Sequence, residues 1–231
     1  MNFRPHPCKP RTGAFTLIEL LTVIAIIAIL MGLLFPALSS AKEQARRTAA
    51  ANAVRNIVNA SKSYQTDYGK FPPVTTALVG SVDTGGYYAY GDTSVGGAKL
   101  GNNELFDILR AIARGVNVGN AMNKRQQKYF EMGKAKDPAT PRDGFIDGTG
   151  YTGTQGQLMD PWGVQYGIVL DAADSGTIDM GQFYTDLQGS QNVLRVSAAV
   201  FSVGKDGKLG TKGDKTLRKG TNNSDDVISW Q

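Results

Sequence analysis

From Leu17 to Leu38 the chain is almost continuously apolar, and Glu19 is the one charged residue in that run. The stretch from Leu20 to Leu38 is about 19 residues, or about 28 Å as a helix, which is enough to cross a hydrocarbon core. Past Ser39-Ser40 the pattern changes to an amphipathic one. Val54, Ile57, Val58, Ser61, Tyr64 and Tyr68 recur three or four apart, which predicts a helix continuing to about Tyr68 with one face against a globular domain. Gly69 and the tandem Pro72-Pro73 end it. Gly32 and Pro36 predict a kink or local melting near the far end of the apolar run.

Downstream, Val74 to Gly101 reads as loop with one short strand, and the cluster Tyr87, Tyr88 and Tyr90 reads as packing. Leu105, Ile108, Leu109 and Ile112 predict a second helix over Glu104–Ala113, started by Asn102 or Asn103 and ended by Gly115. A helical turn is expected at Gln126–Met132 and irregular loop over Asp137–Gly156. The β-branched and aromatic runs Val164–Leu170 and Leu194–Val203 predict strands, with a third over Thr177–Tyr184.

These elements specify an α+β class: a long N-terminal helix, membrane-spanning in its first half, packed on a small antiparallel β-sheet domain. The boundaries read as a leader at 1–14, a transmembrane helix at 15–38, the soluble half of the helix at 39–70 and a globular domain at 71–231. A length of 231 residues suits one membrane helix and one domain of ordinary size.

Composition narrows the chemistry. The single cysteine, Cys8, and the single histidine, His6, both precede the apolar run, which excludes an intramolecular disulfide, a Cys/His zinc cluster and any histidine-dependent triad. The net charge is +5, but Arg4, Lys9 and Arg11 stand in a leader with no acid, so the remainder carries only +2 and nucleic acid is not an expected partner. Lys42, Arg46, Arg47, Arg55 and Lys62 read as a solvated or subunit-facing helix surface. A secretory signal places its small residues after the apolar core, whereas Gly13-Ala14 here precedes it, so cleavage there keeps the helix. The basic leader orients residues 1–14 to the cytoplasm and the bulk of the chain across the membrane.

A carboxylate at Glu19 costs roughly 2.5 kcal/mol or more in a membrane helix unless it finds a partner, and the expected partner is another chain; interfacial snorkelling is the plainer alternative. Gly13-Ala14-Phe15-Thr16-Leu17-Ile18-Glu19-Leu20-Leu21 resembles the type III signal of the type IV pilin and pseudopilin superfamily. The resemblance implies that a prepilin peptidase cuts between Ala14 and Phe15 and that the new N-terminus at Phe15 is methylated. It also implies that Glu19 pairs with the N-terminal amine of a neighbouring subunit in a helical filament. Ala14 stands where the family usually has glycine, which leaves a cut between Gly13 and Ala14 as the alternative.

Two further segments are similar to the major pseudopilins of type II secretion systems. Asp160-Pro161-Trp162-Gly163-Val164-Gln165-Tyr166 resembles the segment that leads into their sheet, with Trp162 as a structural anchor. The tail, Phe201–Gly207 followed by Asp225–Trp230, resembles their calcium-binding loop, which implies calcium ligands among Asp206, Asp225, Asp226, the Val203 carbonyl and Ser224. The basic segment Lys212–Gly220 is longer than usual for that loop.

The function implied by resemblance is a structural, non-enzymatic subunit of a type II secretion pseudopilus, single-pass in the inner membrane with its C-terminal domain in the periplasm. Its partners would be further copies of itself, the prepilin peptidase, minor pseudopilins and the inner-membrane secretion platform. A type IV pilin of a surface fibre is the nearest alternative. A membrane-tethered enzyme or binding module is a third, with Asp143/Asp147 and Asp171/Asp174 as its candidate carboxylate pairs.

Overall fold

The computed structural model describes residues 16–73, 86–92, 100–181, 183–186, 192–217 and 224–230. The chain divides into two compact units, Met1–Gln44 and Ala45–Gln231. A single helix, α1 (Leu17–Tyr68), contributes to both and encloses Pro36. Of the kink or local melting expected near Gly32 and Pro36, melting is absent: the helix is continuous through both residues. A proline removes one backbone donor, and the long helical segments on either side supply enough consecutive hydrogen bonds to carry the helix past it. In the first unit the large apolar side chains are exposed from Leu17, at 88%, to Leu38, at 46%. This is the one helix among the described residues long and apolar enough to cross a membrane.

In the second unit, the α1 stripe that is buried is Ala50, Ala53, Val54, Ile57, Ala60, Ser61 and Tyr64. Small residues every three or four positions let the sheet approach closely, while Val58 and Tyr68 lie at its margin, partly buried. The strands are β1 (Tyr87–Tyr90), β2 (Gly144–Phe145), β3 (Leu158–Met159), β4 (Gly167–Asp171), β5 (Ile178–Asp179), β6 (Val193–Leu194), β7 (Ala198–Ser202) and β8 (Val227–Ile228). The main sheet is antiparallel in the order β1-β4-β7-β8, and β2-β3 and β5-β6 form two small ribbons.

Side chains alternate across the main sheet with period two. Ile168, Leu170, Ala198 and Val200 enter the core cluster that holds the α1 stripe. Val169, Ala199 and Phe201 enter a second cluster with Ile178, Met180, Tyr184, Leu209 and Leu217. Both faces are therefore buried, one by the helix and one by β5-β6 and the C-terminal loop, which is why β4 and β7 read in sequence as nearly unbroken apolar runs. The tyrosines of β1 serve packing as expected: Tyr87 and Tyr90 are buried, and the Tyr90 hydroxyl donates to the Pro72 carbonyl at 2.9 Å.

Gly167 faces Phe201 across the β4-β7 pair, and a Cβ added there would clash with the far edge of the phenyl ring. Gly167→Ala is therefore expected to lower stability by about 2–3 kcal/mol through overpacking. Denaturant unfolding of the two chains side by side checks this.

Three sequence expectations are corrected. The second helix, α2, runs only over Asn103–Leu109. Ala111 takes φ 55°, the Ala111 N–H bonds to the Ile108 carbonyl, and the Ile112 N–H bonds to the Asp107 carbonyl, so a left-handed C-terminal cap closes the helix four residues before Gly115. Gln126–Met132 is not helical; a 3₁₀ segment forms instead at Gly115–Asn120. The expected third strand shrinks to β5.

Candidate functional site

The first candidate site is the start of α1. Glu19 stands three residues after Thr16, which puts the two side chains on one side of the first turn. The Thr16 hydroxyl donates to Glu19 Oε2 at 2.8 Å and the Thr16 N–H donates to the same oxygen at 2.9 Å. In return the Glu19 N–H donates to Thr16 Oγ1 at 3.3 Å. This reciprocal arrangement is a capping box, and it satisfies backbone donors that the first turn of any helix leaves without partners. Thr22 adds a bond from its hydroxyl to the Glu19 carbonyl at 3.0 Å. The Thr-x-x-Glu spacing carried this signal in the sequence, and Thr16 was not singled out from it. Ala14 and Phe15 lie outside the described residues.

The second candidate site is the C-terminal loop between β7 and β8. It is framed by its own acids: Asp225 Oδ2 accepts the N–H groups of Lys205 and Asp206, and Asp206 Oδ1 accepts that of Lys208. Asp226 Oδ2 accepts the Tyr184 hydroxyl and the Gly210 N–H, both at 2.7 Å, and the Asp226 N–H donates to Ser224 Oγ at 3.2 Å. Gly204, at φ 69°, packs against the backbone of Asp225, where a side chain would clash. Trp230 closes the loop against Tyr184 and Phe201, with ring centroids 5.8 and 6.5 Å away.

Asp226 Oδ1 is buried without a hydrogen-bond partner among the described residues, and burial pushes the Asp226 carboxyl up to about 7. A buried carboxylate oxygen of this kind suits a cation. Against that, the other loop carboxylates point at backbone amides, and among the described residues no three Asp, Glu, His or Cys side chains converge as a metal site. The expected calcium ligands thus share one loop, and among the described loop carboxylates Asp226 is the one with a buried oxygen left over.

The turn before β4 shows which residue of Asp160-Pro161-Trp162-Gly163 does the anchoring. Asp160 is fully buried, its Oδ1 accepts the N–H groups of Trp162, Gly163 and Val164 at 2.8–2.9 Å, and its Oδ2 accepts the Ser202 hydroxyl. Trp162 itself is only half-buried. Asn102, fully buried, donates to the carbonyls of Leu158 and Tyr166 and accepts the Leu158 N–H, tying the start of α2 to the same region. In each carboxylate pair weighed as an acid-base set, one member has structural partners: Asp147 pairs with Arg110, and Asp171 accepts the Gly176 N–H and the Ser175 hydroxyl.

Comparison with known proteins bears on the first of these sites. Residues 9–35 match the family profile of the prokaryotic N-terminal methylation motif. By its N-terminal segment the chain is similar to the type IV pilin and pseudopilin superfamily. The chain is also 42% identical over 65 residues to the type IV wide pilus major component PilA4 of Thermus thermophilus. That match covers 28% of this pilin-like chain and half the length of its relative. No solved structure matches the chain significantly. An apolar helix at the N-terminus and antiparallel sheets behind it are the arrangement expected of a pilin-like subunit, and the superfamily is one of structural subunits.

Proposed function

We propose that this chain is the structural subunit of a type II secretion pseudopilus, assembled through the first part of α1 into a helical filament anchored at the inner membrane. One observation carries the filament reading. A helix with exposed apolar side chains from Leu17 to Leu38 begins with a single carboxylate, Glu19, held in place by its own first turn. An apolar surface of that length needs lipid or other helices around it, and a lone carboxylate within it needs a cation. Identical parallel helices supply both, because each brings an N-terminal amine one turn from its own Glu19. In this reading the leader ending at Ala14 is removed, Phe15 becomes the methylated N-terminus, and residues 71–231 lie in the periplasm.

The pseudopilus is preferred to a surface pilus on two grounds. The buried Asp160 turn and the acid-framed C-terminal loop fall in the two segments similar to major pseudopilins, and the C-terminal domain has no cysteine pair. The similarity to a wide-pilus component favours the second reading, a type IV pilin. Deleting the gene separates them: a pseudopilin predicts loss of protein secretion with surface fibres intact, a pilin the reverse. Recovery of the chain in sheared filaments with an N-terminus at Phe15 tests what both readings share.

Calcium is the second part of the proposal. Asp226, Asp225, Asp206, Ser224 and the Val203 carbonyl would hold it, and its charge would offset the buried Asp226 oxygen. Binding from calcium at 100-fold above its dissociation constant adds about 2.7 kcal/mol of stability, or roughly 5–10 °C in Tm for a domain of this size. The whole chain in detergent is therefore expected to melt higher with calcium than with chelator, and Asp226→Ala is expected to erase the difference. Identical melting of the wild type in both conditions removes the ion and leaves the filament reading untouched.

A further inference from the structure

Charge is segregated along the second unit. Between Lys124 and Arg142 there are six cations and two acids, whereas from Asp143 to Leu194 there are seven acids and no cation, so a basic stretch is followed by an acidic one. Against the basic stretch opens a groove of about 550 Å³, lined by Arg110, Ile112, Lys128, Glu131, Met132 and Gly133. We propose that this groove receives the acidic β4-β5 turn, residues 172–177, of a neighbouring copy, an inference that rests on the filament reading above.

The groove combines apolar lining from Ile112 and Met132 with cations. Arg110 is already held, by Asp147 and over the Phe145 ring at 3.7 Å, so it forms a fixed wall. Lys128 is different: its pair with Glu131 at 2.9 Å has side chains 64% and 70% exposed, and a surface pair of that kind contributes little and exchanges partners readily. Lys134 and Lys136 follow, exposed and without an ion-pair partner among the described residues. The turn is the complement of this surface. Asp171 accepts the Gly176 N–H at 2.6 Å, and the Ala172 and Ala173 N–H groups donate to the Gly86 carbonyl at 2.9 and 3.0 Å, so the turn keeps one shape and docks with little further ordering. Asp174, within it, and Asp179, just after it, are exposed; the first takes a long hydrogen bond from Gln65 at 3.4 Å, and the second accepts the Gly181 N–H at 2.8 Å. No ion pair joins Lys128, Lys134 or Lys136 to Asp174 or Asp179 within one copy. Opposite charges left apart on one chain complement each other between two copies, and a contact between two different surfaces repeats head to tail without closing, as a filament requires.

Both positions can be exchanged without touching the core. Lys128 is exposed, and Asp174 takes φ 54°, a conformation that Lys212 and Lys215 also adopt in this chain. The whole chain is to be expressed with a prepilin peptidase, and sheared-filament yield measured at low salt. Lys128→Glu and Asp174→Lys, taken singly, are each expected to lose about ten-fold in yield, because each sets like charges against one another across the contact. The two together are expected to recover most of the yield. Wild-type yield from Lys128→Glu, or a double variant no better than the single ones, overturns the inference. A second measurement leaves charge reversal aside. Two chains of different mass, one carrying Lys128→Cys and the other Asp174→Cys, are co-assembled; Cys8 lies in the leader, so each mature chain holds one cysteine. Oxidation is expected to link the two masses in sheared filaments. Filaments that form without that mixed pair overturn the docking and leave the filament reading standing, whereas absence of filaments from the wild type refutes the filament reading itself.

Discussion

Glu19→Ala will leave the chain processed, inserted and folded, and will remove it from the sheared-filament fraction. Insertion is not the casualty, because replacing a carboxylate by a methyl group in an apolar helix makes the membrane a cheaper environment for it. Folding of Ala45–Gln231 is untouched, because every partner of the Glu19 side chain named here lies in the first turn of α1. What changes is the neighbour's amine, which loses its counter-charge in a water-poor surrounding. Breaking one member of such a pair costs about 3–5 kcal/mol, or roughly two to four orders of magnitude in an association constant. Glu19→Gln keeps the shape and loses the charge, so its yield should fall between the two. Quantitative blotting of sheared and membrane fractions checks all three chains, and equal filament yield from Glu19→Ala would falsify the proposed pairing.

The second large effect is expected at Asp160, far from the membrane helix in sequence. Its carboxylate gathers three backbone N–H groups of its own turn and the Ser202 hydroxyl of β7, all with no access to water at the carboxylate. Asp160→Ala strips the acceptor from four donors at once, and leaving buried donors unmet is costlier than the bonds were worth. A loss of about 3–5 kcal/mol is expected, which lowers Tm by roughly 6–20 °C for a domain of this size. Asp160→Asn is the control. Its amide oxygen can accept the three N–H groups and its amide nitrogen can donate to Ser202, so most of the stability should remain. Thermal unfolding of the three chains followed by circular dichroism is the check, and an alanine variant as stable as the wild type contradicts the anchoring role.

The parts of this fold that were legible in the sequence are those with a period or a long apolar run. The membrane-type segment announces itself by length, and the α1 stripe by recurrence at three and four. The sheet was legible in β4 and β7, whose two buried faces make nearly every position apolar. What was illegible is what depends on single side chains meeting backbone groups in irregular structure. Asn117 accepts the N–H groups of Met122 and Asn123 and donates to the carbonyls of Asp107 and Ile112. Asn123 does the same with Ile108 and Gln127. Both are fully buried, and they hold Gly115–Lys128 in a path that no propensity describes. The early end of α2 was missed for a related reason, since the left-handed cap falls on Ala111 where glycine is the usual signal.

The candidate sites divide along the same line. Glu19 was legible because a charge in an apolar run is costly on sight, and Thr16 was legible in principle from the Thr-x-x-Glu spacing. The C-terminal acids were recognised as a group through resemblance, yet their directions were not, because orientation depends on which backbone amides the loop brings within reach. Asp225 and Asp206 turn toward the loop's backbone amides, and among the described acids of the loop Asp226 keeps a buried oxygen without a donor.

The central claim is that the carboxylate of Glu19 meets the amine of Phe15 on a neighbouring copy inside a bundle of apolar helices. A cryo-electron microscopy reconstruction of purified filaments tests it most directly, at a resolution that shows side chains along residues 15–38. The account predicts these helices at the filament axis, with Glu19 within hydrogen-bonding distance of an adjacent subunit's N-terminus. Helices on the outer surface, or a Glu19 carboxylate with no neighbouring amine, would contradict it.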